Sequence, residues 1–363
     1  MDYMSTINFP VIRGIQAGRE YFVAMWKLRM LKQISIFDEH DLPPELRWQR
    51  TLNSGRVPEM ANYILDNPKD YIFSAITASI DSEVEFQPLD GKAGESGLGI
   101  LIVPTDAKFI INDGQHRRAA ILSALAQKPE LGSETISVVF FLDIGLNRSQ
   151  QMFADLNRYA IRPSRSLGLL YDHRDDKAQL ARLVVMKSDV FREIVDLEKS
   201  SLAPRSRKLF TLSAFYNAIA DLVEGIATGD LEEDAKTARD FWEAVARYFP
   251  AWTQVRDGKL AASEVREGFI YSHGIALQAI GKAGNSLLKG NPTGWKSRLK
   301  ALPEINWSRK NSRLWEGRAM IGGRVSKSTN NIILTTNVIK QHLGIELNEE
   351  EQRVEAAHKR GNK

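Results

Sequence analysis

A short apolar run followed by a polar, basic cluster is the feature that most constrains this chain. The residues from Lys108 to Ile111 are typical of a strand, and Asn112-Asp113-Gly114 predicts a tight turn. The segment from Gln115 to about residue 126 predicts a helix. A strand, a turn and a helix in direct succession indicate an α/β domain, with the unpaired N–H groups of the helix at the turn.

The first turn of this helix carries His116, Arg117 and Arg118. Cations are unfavourable at a helix N-terminus, because the positive end of the helix dipole lies there. A bound anion such as phosphate would resolve the conflict, since the N–H groups and the basic side chains would all act as donors to it. The alternative is that Asp113 caps the helix and that the arginines are solvated.

Asp113 to Arg117 spell DGQHR, and the chain resembles the DGQHR-domain family that is named after this signature. Within that family it is similar to the DndB proteins of bacterial DNA phosphorothioate (Dnd) modification systems. The resemblance covers most of the chain. Besides the signature, it rests on Gln49-Arg50, Arg56-Val57-Pro58, Tyr63-Ile64, the segment 151–158, Lys208–Leu212 and Ser272-His273-Gly274.

The resemblance implies a ParB/sulfiredoxin-like fold, which binds nucleotide phosphates at the corresponding turn. Sulfiredoxins carry a catalytic Cys there, whereas this chain has Gln115, so sulfinic-acid reduction is not expected. Phosphate binding survives the change, and both a nucleotide and a DNA phosphate would satisfy the same donors. The implied phosphate or nucleotide site is Asp113, Gly114, Gln115, His116, Arg117 and Asn157.

Composition excludes several classes of chemistry. The chain of 363 residues contains no cysteine, which rules out disulfides, thiolate catalysis and cysteine–zinc sites. Its net charge of +4 permits nucleic-acid binding without requiring it. The first residues do not resemble a signal peptide, and no apolar run reaches the length of a membrane span. We therefore expect a cytoplasmic protein without a membrane partner.

The distribution of strand and helix patterns predicts two domains in an α+β arrangement: a mixed-sheet, ParB/sulfiredoxin-like DGQHR domain over 1–165 and a mostly helical domain over 166–363. Residues 8–35 and 71–80 predict strands, 82–97 a loop, 99–103 and 108–111 a hairpin, and 136–142 a strand buried on both faces. Helices are predicted from about 41 to 50, over 57–65, 151–158, 178–195, 213–226, 234–248, 274–284 and 335–343, with a frayed tail from 357.

Basic residues outside the turn are candidates for DNA contact. Asn157 is suited to a base or ribose, and Arg158, Arg162 and Arg165 to phosphates. The alternative for this segment is a helix cap with solvated arginines. Further along the chain, the predicted phosphate contacts are Arg205, Arg207, Lys208, Arg318, Arg324 and Lys327.

The last three of these cations belong to a segment that also contains Trp307, Trp315 and Gly322-Gly323, a mixture that suits a phosphate backbone. The following segment, 335–343, resembles the second helix of a helix-turn-helix. The alternative is a solvated basic loop.

Two further features concern catalysis. His173 lies among Asp172, Asp175 and Asp176, which suits either a hard metal or, more simply, an acidic helix N-terminus. His273, in front of an apolar helix, is the one isolated histidine that merits a test. No P-loop, zinc spacing or Ser-His-Asp order is present.

The resemblance implies a DNA-binding transcriptional regulator of a phosphorothioate modification gene cluster, whose partner is duplex DNA from its own promoter. A homodimer would match a symmetric operator. The alternative is a nucleotide-binding enzyme of the same system, an ATP or CTP hydrolase or a nucleotide-dependent DNA-nicking activity with Mg²⁺. A third hypothesis is a scaffold that binds other DNA sulfur modification proteins.

Overall fold

A computed structural model describes residues 5–32, 55–89, 97–144, 148–158, 163–290 and 293–361. The side chains of Ser149, Gln150, Phe153, Asn157 and Arg158 are outside this description, as is the helix predicted from 41 to 50. Residue contacts divide the chain into two units, Met1–Ile161 and Arg162–Lys363.

The first unit contains a seven-stranded mixed sheet with the order β4-β5-β1-β2-β7-β3-β6. Neighbouring strands are antiparallel except β3 and β7, which are parallel. The strands are β1 (Thr6–Gln16), β2 (Arg19–Lys27), β3 (Ile76–Asp81), β4 (Glu85–Pro88), β5 (Leu98–Pro104), β6 (Lys108–Asp113) and β7 (Thr135–Leu142).

The described residues of this unit also form the helices α1 (Arg56–Asp66), α2 (Gln115–Gln127) and α3 (Ser149–Arg158). Single 3₁₀ turns lie at Leu28–Lys32 and Pro129–Ser133. An aromatic cluster forms part of the core: the ring centroids of Phe9 and Trp26 are 5.0 Å apart, and those of Trp26 and Phe140 are 5.2 Å apart. These contacts join β1, β2 and β7 across one face of the sheet.

The sheet differs from the sequence prediction in its pairing. The hairpin prediction was wrong, because β5 pairs with β1 and β4, whereas β6 pairs with β3. A turn signal reports the local bend of the chain but not the partners of the flanking strands. Residues 71–75 precede β3 without forming a strand, and the predicted loop over 82–97 contains β4.

Burial along β7 alternates, with Ile136, Val138 and Phe140 buried and the residues between them partly exposed. The prediction of burial on both faces was therefore wrong. An all-apolar strand at the centre of a mixed sheet needs full cover on one face only.

The second unit is built mainly of helices, so the α+β fold class is confirmed. The helices are α4 (Arg165–Tyr171), α5 (Asp176–Lys187), α6 (Phe191–Ile194), α7 (Leu212–Val223), α8 (Leu231–Ala246), α9 (Pro250–Arg256), α10 (Ala262–Gly268), α11 (Gly274–Gly290), α12 (Trp295–Arg298), α13 (Ser312–Trp315), α14 (Thr329–His342) and α15 (Glu349–Gly361).

Short elements complete this unit. They are 3₁₀ turns at Ile270–Ser272 and Leu299–Glu304, the parallel pair β8 (Val195–Asp196) and β9 (Phe210–Thr211), and the antiparallel pair β10 (Met320–Ile321) and β11 (Arg324–Val325). Within the described ranges, no helix combines the length and apolar character that a membrane crossing needs.

Two predicted helix boundaries were wrong. The single helix predicted over 178–195 is divided at Ser188, where α5 ends and a short turn leads to α6. The tail predicted to fray belongs to α15 up to residue 361.

Helices α7 and α11 run parallel at close range. A Cβ on Gly274 would lie 3.0 Å from the Cβ of Ala214, and one on Gly281 would lie 2.2 Å from the carbonyl oxygen of Ala218. Further along, the Asn285 side chain donates hydrogen bonds to the carbonyls of Leu222 and Glu224. Position 281 therefore has no room for a side chain. The order of these contacts also shows that α7 and α11 run in the same direction, so their N-termini lie at the same end of the pair.

We expect Gly281→Ala to lower the free energy of unfolding by about 1–3 kcal/mol, because the added methyl group must separate α7 from α11. Gly290→Ala in the same helix is the control, since nothing lies within 4 Å of its added Cβ. Urea unfolding measures both. Equal stability of the two variants would contradict the close packing.

Candidate functional site

The DGQHR turn joins β6 to α2 through Gly114, whose φ is +106°. A side chain would be strained at this φ, and its Cβ would lie 3.0 Å from Cγ1 of Ile76. Gly114 is the N-cap of α2 and no side chain caps the helix. The alternative in which Asp113 caps the helix is therefore wrong.

Arg117 connects this turn to the segment in front of β3. Its Nη1 donates to Oγ of Ser74 at 2.7 Å, and its Nη2 donates to the carbonyl of Ala75 at 3.1 Å and to Oδ2 of Asp113 at 2.6 Å. The side chain is 17% exposed, so it is not the solvated arginine of the alternative interpretation. Its guanidinium holds the turn in place.

His116 lies at the start of α2 near three arginines, Arg56, Arg117 and Arg118. Burial, Arg56 and Arg117 lower the pKa of His116, and Asp113 acts in the opposite direction. Arg118 donates from Nε to the Leu31 carbonyl at 3.3 Å, and burial lowers its pKa. Sequence reasoning missed Arg56 as a site residue, although it begins a segment that carries the family resemblance.

Gln115 bonds to its own turn, with Nε2 donating to the Ile111 carbonyl at 3.0 Å. An amide supplies no nucleophile at the position of the sulfiredoxin cysteine. The turn offers donors and positive charge, so its geometry is suited to holding an anion.

The basic segment after α3 is only partly described. Gln151 donates to Oδ1 of Asp155 at 2.7 Å on α3. The side chains of Asn157 and Arg158, and all of Arg162, lie outside the described residues, so their assignment to base or phosphate contact stays a prediction.

The acidic cluster is a helix start, which confirms the simpler of its two interpretations. Asp175 caps α5 by accepting from the N–H groups of Lys177 and Ala178, and its other oxygen accepts from the Tyr216 hydroxyl at 2.8 Å. Asp172 accepts from the N–H groups ahead of α5. Among the residues that the structure describes, no group of three or more His, Asp or Glu side chains is placed to hold a metal.

Arg318 forms an internal ion pair, which corrects its assignment to DNA. Its Nη2 and Nη1 donate to the Glu355 carboxylate at 2.7 and 2.9 Å, and the side chains are only 12% and 7% exposed. Asn337 also donates to Glu355. A guanidinium committed to a buried carboxylate is not available to a DNA phosphate.

The aromatic residues of the same region are core. Trp307 and Trp315 are 5% and 0% exposed, and their indole N–H groups donate to carbonyls of Leu302 and Asn306. Helix α14 buries Thr335–Lys340. A recognition helix must present an exposed face to the groove, so the burial of this segment argues against that role, which the sequence pattern was too degenerate to assign.

Arg165 and Lys327 line a cavity of about 550 Å³ together with Arg266, His273 and Arg309. Sequence reasoning singled out His273 but missed Arg266 as a site residue. The His273 Nε2–H donates to the Arg266 carbonyl at 2.8 Å, and burial lowers the pKa of His273 to about 4. The imidazole is therefore neutral at physiological pH.

Three predicted DNA contacts, Arg205, Arg207 and Arg324, are exposed, and we call them the rim. Two of them follow the cavity residue Pro204, and Arg324 precedes the cavity residue Val325. Lys208 is partly buried and donates to the Glu193 carbonyl at 2.7 Å. The rim residues are thus neighbours of cavity residues in sequence, whereas the ammonium group of Lys208 is used in a hydrogen bond within the protein.

The DGQHR signature thus lies where strand β6 turns at Gly114 into helix α2. A family model for DndB, described as DNA-sulfur modification-associated, matches residues 9–346. The chain therefore belongs to the DndB family, as the sequence resemblance predicted, and is associated with DNA sulfur modification. Searches of curated proteins and of solved structures found no match.

We expect Arg117→Ala to lower the free energy of unfolding by about 2 kcal/mol, because it removes bonds that join Asp113 to Ser74 and Ala75. His116→Ala at the neighbouring position should cost less than about 1 kcal/mol. Urea unfolding of both variants is the measurement, and equal losses would contradict the bridging role of Arg117.

Glu355→Gln should lower the free energy of unfolding by about 3 kcal/mol at pH 7, because it leaves Arg318 buried without its carboxylate. The hydrogen bond from Arg318 is the main cause that lowers the pKa of Glu355 from 4.5 to about 2. A lowered folded-state pKa gives stability that is present above pH 4.5 and is lost as the pH falls toward 2.

The difference between wild type and Glu355→Gln should therefore shrink across that acid range, as followed by urea unfolding at stepped pH. Glu349→Gln is the control, since Glu349 is an exposed residue at the start of the same helix. A difference that stays constant from pH 6 to pH 2.5 would contradict the assignment.

Proposed function

We propose that this chain is a DNA-binding transcriptional regulator of a DNA phosphorothioate modification gene cluster. Membership of the DndB family supports the system in which it acts. The proposed DNA contact rests on the exposure of the rim residues. Within the described part of the chain, Arg205, Arg207 and Arg324 are exposed and form no ion pair with a carboxylate.

Exposed arginines without partners are suited to phosphate contact. Each guanidinium can donate two parallel hydrogen bonds to a phosphate, and the contact releases condensed counterions from the DNA. Because phosphates carry no sequence information, the rim would position DNA without selecting its sequence.

The DGQHR turn is the second proposed phosphate contact. The helix start at Gly114, with His116 and Arg56 beside it, supports this assignment, and the bond between Arg117 and Asp113 holds the turn in shape. Asn157, Arg158 and Arg162 stay in the proposal on sequence grounds alone. The ParB/sulfiredoxin-like assignment of the first unit, a homodimeric state, a cytoplasmic location and binding to other modification proteins also stay predictions.

The helix start at Gly114 favours one alternative, in which the turn binds ATP or CTP and the chain is an enzyme of the same system. The same donors would hold a nucleotide phosphate. Hydrolysis or nicking would further need a group that positions water. The candidate carboxylates are Asp113, Asp143 and Asp155, of which Asp113 belongs to the turn and accepts a hydrogen bond from Arg117 at 2.6 Å.

The rim variant Arg205→Gln/Arg207→Gln/Arg324→Gln tests the proposal. We expect affinity for promoter duplex from the same operon to fall at least about tenfold at fixed salt. The slope of log affinity against log salt should fall by about two to three, since each lost phosphate contact contributes about 0.9. Fluorescence anisotropy across a salt series measures both quantities.

The matched control is Lys236→Gln/Arg247→Gln/Arg353→Gln, which removes the same charge from exposed positions away from the cavity. It should leave the slope nearly unchanged. If the control and the rim variant weaken binding equally, net charge rather than the rim governs DNA binding, and the proposed contact is refuted.

The turn is tested with Arg56→Gln/His116→Ala, which spares the structural Arg117. If this variant loses DNA affinity, the turn contacts DNA phosphate. If it keeps DNA affinity and loses ATP or CTP binding, the turn is a nucleotide site and the alternative gains support.

A further inference from the structure

The cavity of the second unit concentrates positive charge. Arg165, Arg266, Arg309 and Lys327 line it, and among its described lining residues the one carboxylate is Glu267, which is exposed. None of the four cations forms an ion pair within the described part of the chain. Their charges are therefore poorly compensated by the protein.

The bonds of these cations go to neutral oxygens. Arg266 donates to the carbonyls of Ala203 and Pro204, and Arg309 donates to those of Arg266 and Gly323. Arg165 donates to the side-chain oxygen of Asn217 at 3.0 Å. Neutral acceptors fix the direction of a guanidinium without cancelling its charge, and each guanidinium has five N–H donors.

Two helix N-termini add to this positive field. Thr211 and Ser213 at the start of α7, and Gly274 and Ile275 at the start of α11, line the cavity. Because the helices are parallel, both positive dipole ends face the same space. A Cβ on Gly274 would lie 3.9 Å from Nζ of Lys327, so a cation stands where a helix favours an anion.

The charged form of Lys327 is destabilised by this arrangement. Although much of its side chain is exposed, desolvation lowers its pKa, and the neighbouring Arg165 lowers it further. Asp221 acts in the opposite direction, but its carboxylate is already bound by Lys282 and Gln278. A bound anion would convert this repulsion into attraction for all four cations.

The remaining wall is part apolar and part polar, the polar part including Ser200, Ser201 and Asn217, so it suits a ligand with an organic group beside its charge. A volume of about 550 Å³ exceeds the need of an inorganic phosphate and lies within the range of small-molecule sites. The apolar residues that line the cavity, which we call the apolar wall, are Leu202, Pro204, Leu209, Phe210, Ala214, Ile275 and Val325.

We propose that the cavity binds a small organic phosphate of nucleotide size that carries at least two negative charges. Arg165, Arg266, Arg309 and Lys327 surround the phosphate, and the apolar wall packs against the organic part. This site shares no residue with the DGQHR turn, and the proposal does not depend on the proposed DNA contact.

The test is isothermal titration calorimetry of the full chain with ATP, CTP and pyrophosphate. We expect wild type to bind ATP or CTP more tightly than pyrophosphate, because pyrophosphate leaves the apolar wall empty. Arg165→Gln/Lys327→Gln should weaken that binding at least about tenfold. These two residues are chosen because Arg266 and Arg309 hold loops, whereas Lys327 donates no hydrogen bond within the described part of the chain.

The control Lys300→Gln/Arg313→Gln removes two charges from exposed positions outside the cavity and should bind like wild type. The turn variant Arg56→Gln/His116→Ala should also keep this binding. Thermal unfolding verifies that each variant is folded, and Lys327→Gln alone replaces the double variant if that one is not.

Three results would overturn the proposal: no binding of ATP, CTP or pyrophosphate by wild type at millimolar concentration, equal weakening by the control, or loss of binding in the turn variant alone. A 5′-phosphorylated oligonucleotide and its unphosphorylated form are titrated as two further ligands. If only the phosphorylated strand binds through Arg165 and Lys327, the ligand is a nucleic-acid end and the small-molecule proposal fails. Promoter affinity of the rim variant reports separately on the DNA contact.

Discussion

The parallel contact between α7 and α11 is the constraint on which the second unit depends. Side by side, parallel helices place like dipole ends together, so the packing must offset an electrostatic cost. Gly281 allows the close approach, and Asn285 supplies donors to carbonyls at the far ends. At the N-terminal ends of the two helices, no acidic side chain among the described lining residues offsets the positive dipole ends except the exposed Glu267. Four cations line this end instead. Positive charge therefore accumulates at one end of this helix pair, and this imbalance underlies the proposed ligand site.

Local sequence signals predicted the strand, turn and helix around Gly114 correctly, because each depends on neighbouring residues. The role of Arg117 was beyond such signals. Its partners Ser74 and Ala75 lie 43 and 42 positions earlier, and they reach it only because β3 pairs with β6. The same non-local pairing of β3 with β6 is the reason that the predicted hairpin between β5 and β6 does not form. Sequence therefore located the motif but could not separate its structural arginine from the groups that remain for a ligand.

The basic residues of the second unit show a different limit. Sequence reasoning treated the tryptophans and arginines after Trp307 as one nucleic-acid surface, whereas folding buries the indoles and divides the cations among three roles. Arg318 is paired internally, Arg324 is exposed, and Lys327 joins a cavity with Arg165 and Arg266. Charge counts along a chain cannot distinguish these roles, because the distinction depends on which carboxylate lies nearby in the folded unit.

The place of β7 in the sheet has a consequence for how the first unit forms on the ribosome. Its neighbours are β2 on one side and β3 on the other, so β7 alone joins the group β4-β5-β1-β2 to the pair β3-β6. Six strands must leave the exit tunnel before the one that connects them. Until Leu142 has emerged, β2 and β3 each present an unpaired edge, which makes the nascent chain vulnerable to aggregation and a natural client for a chaperone.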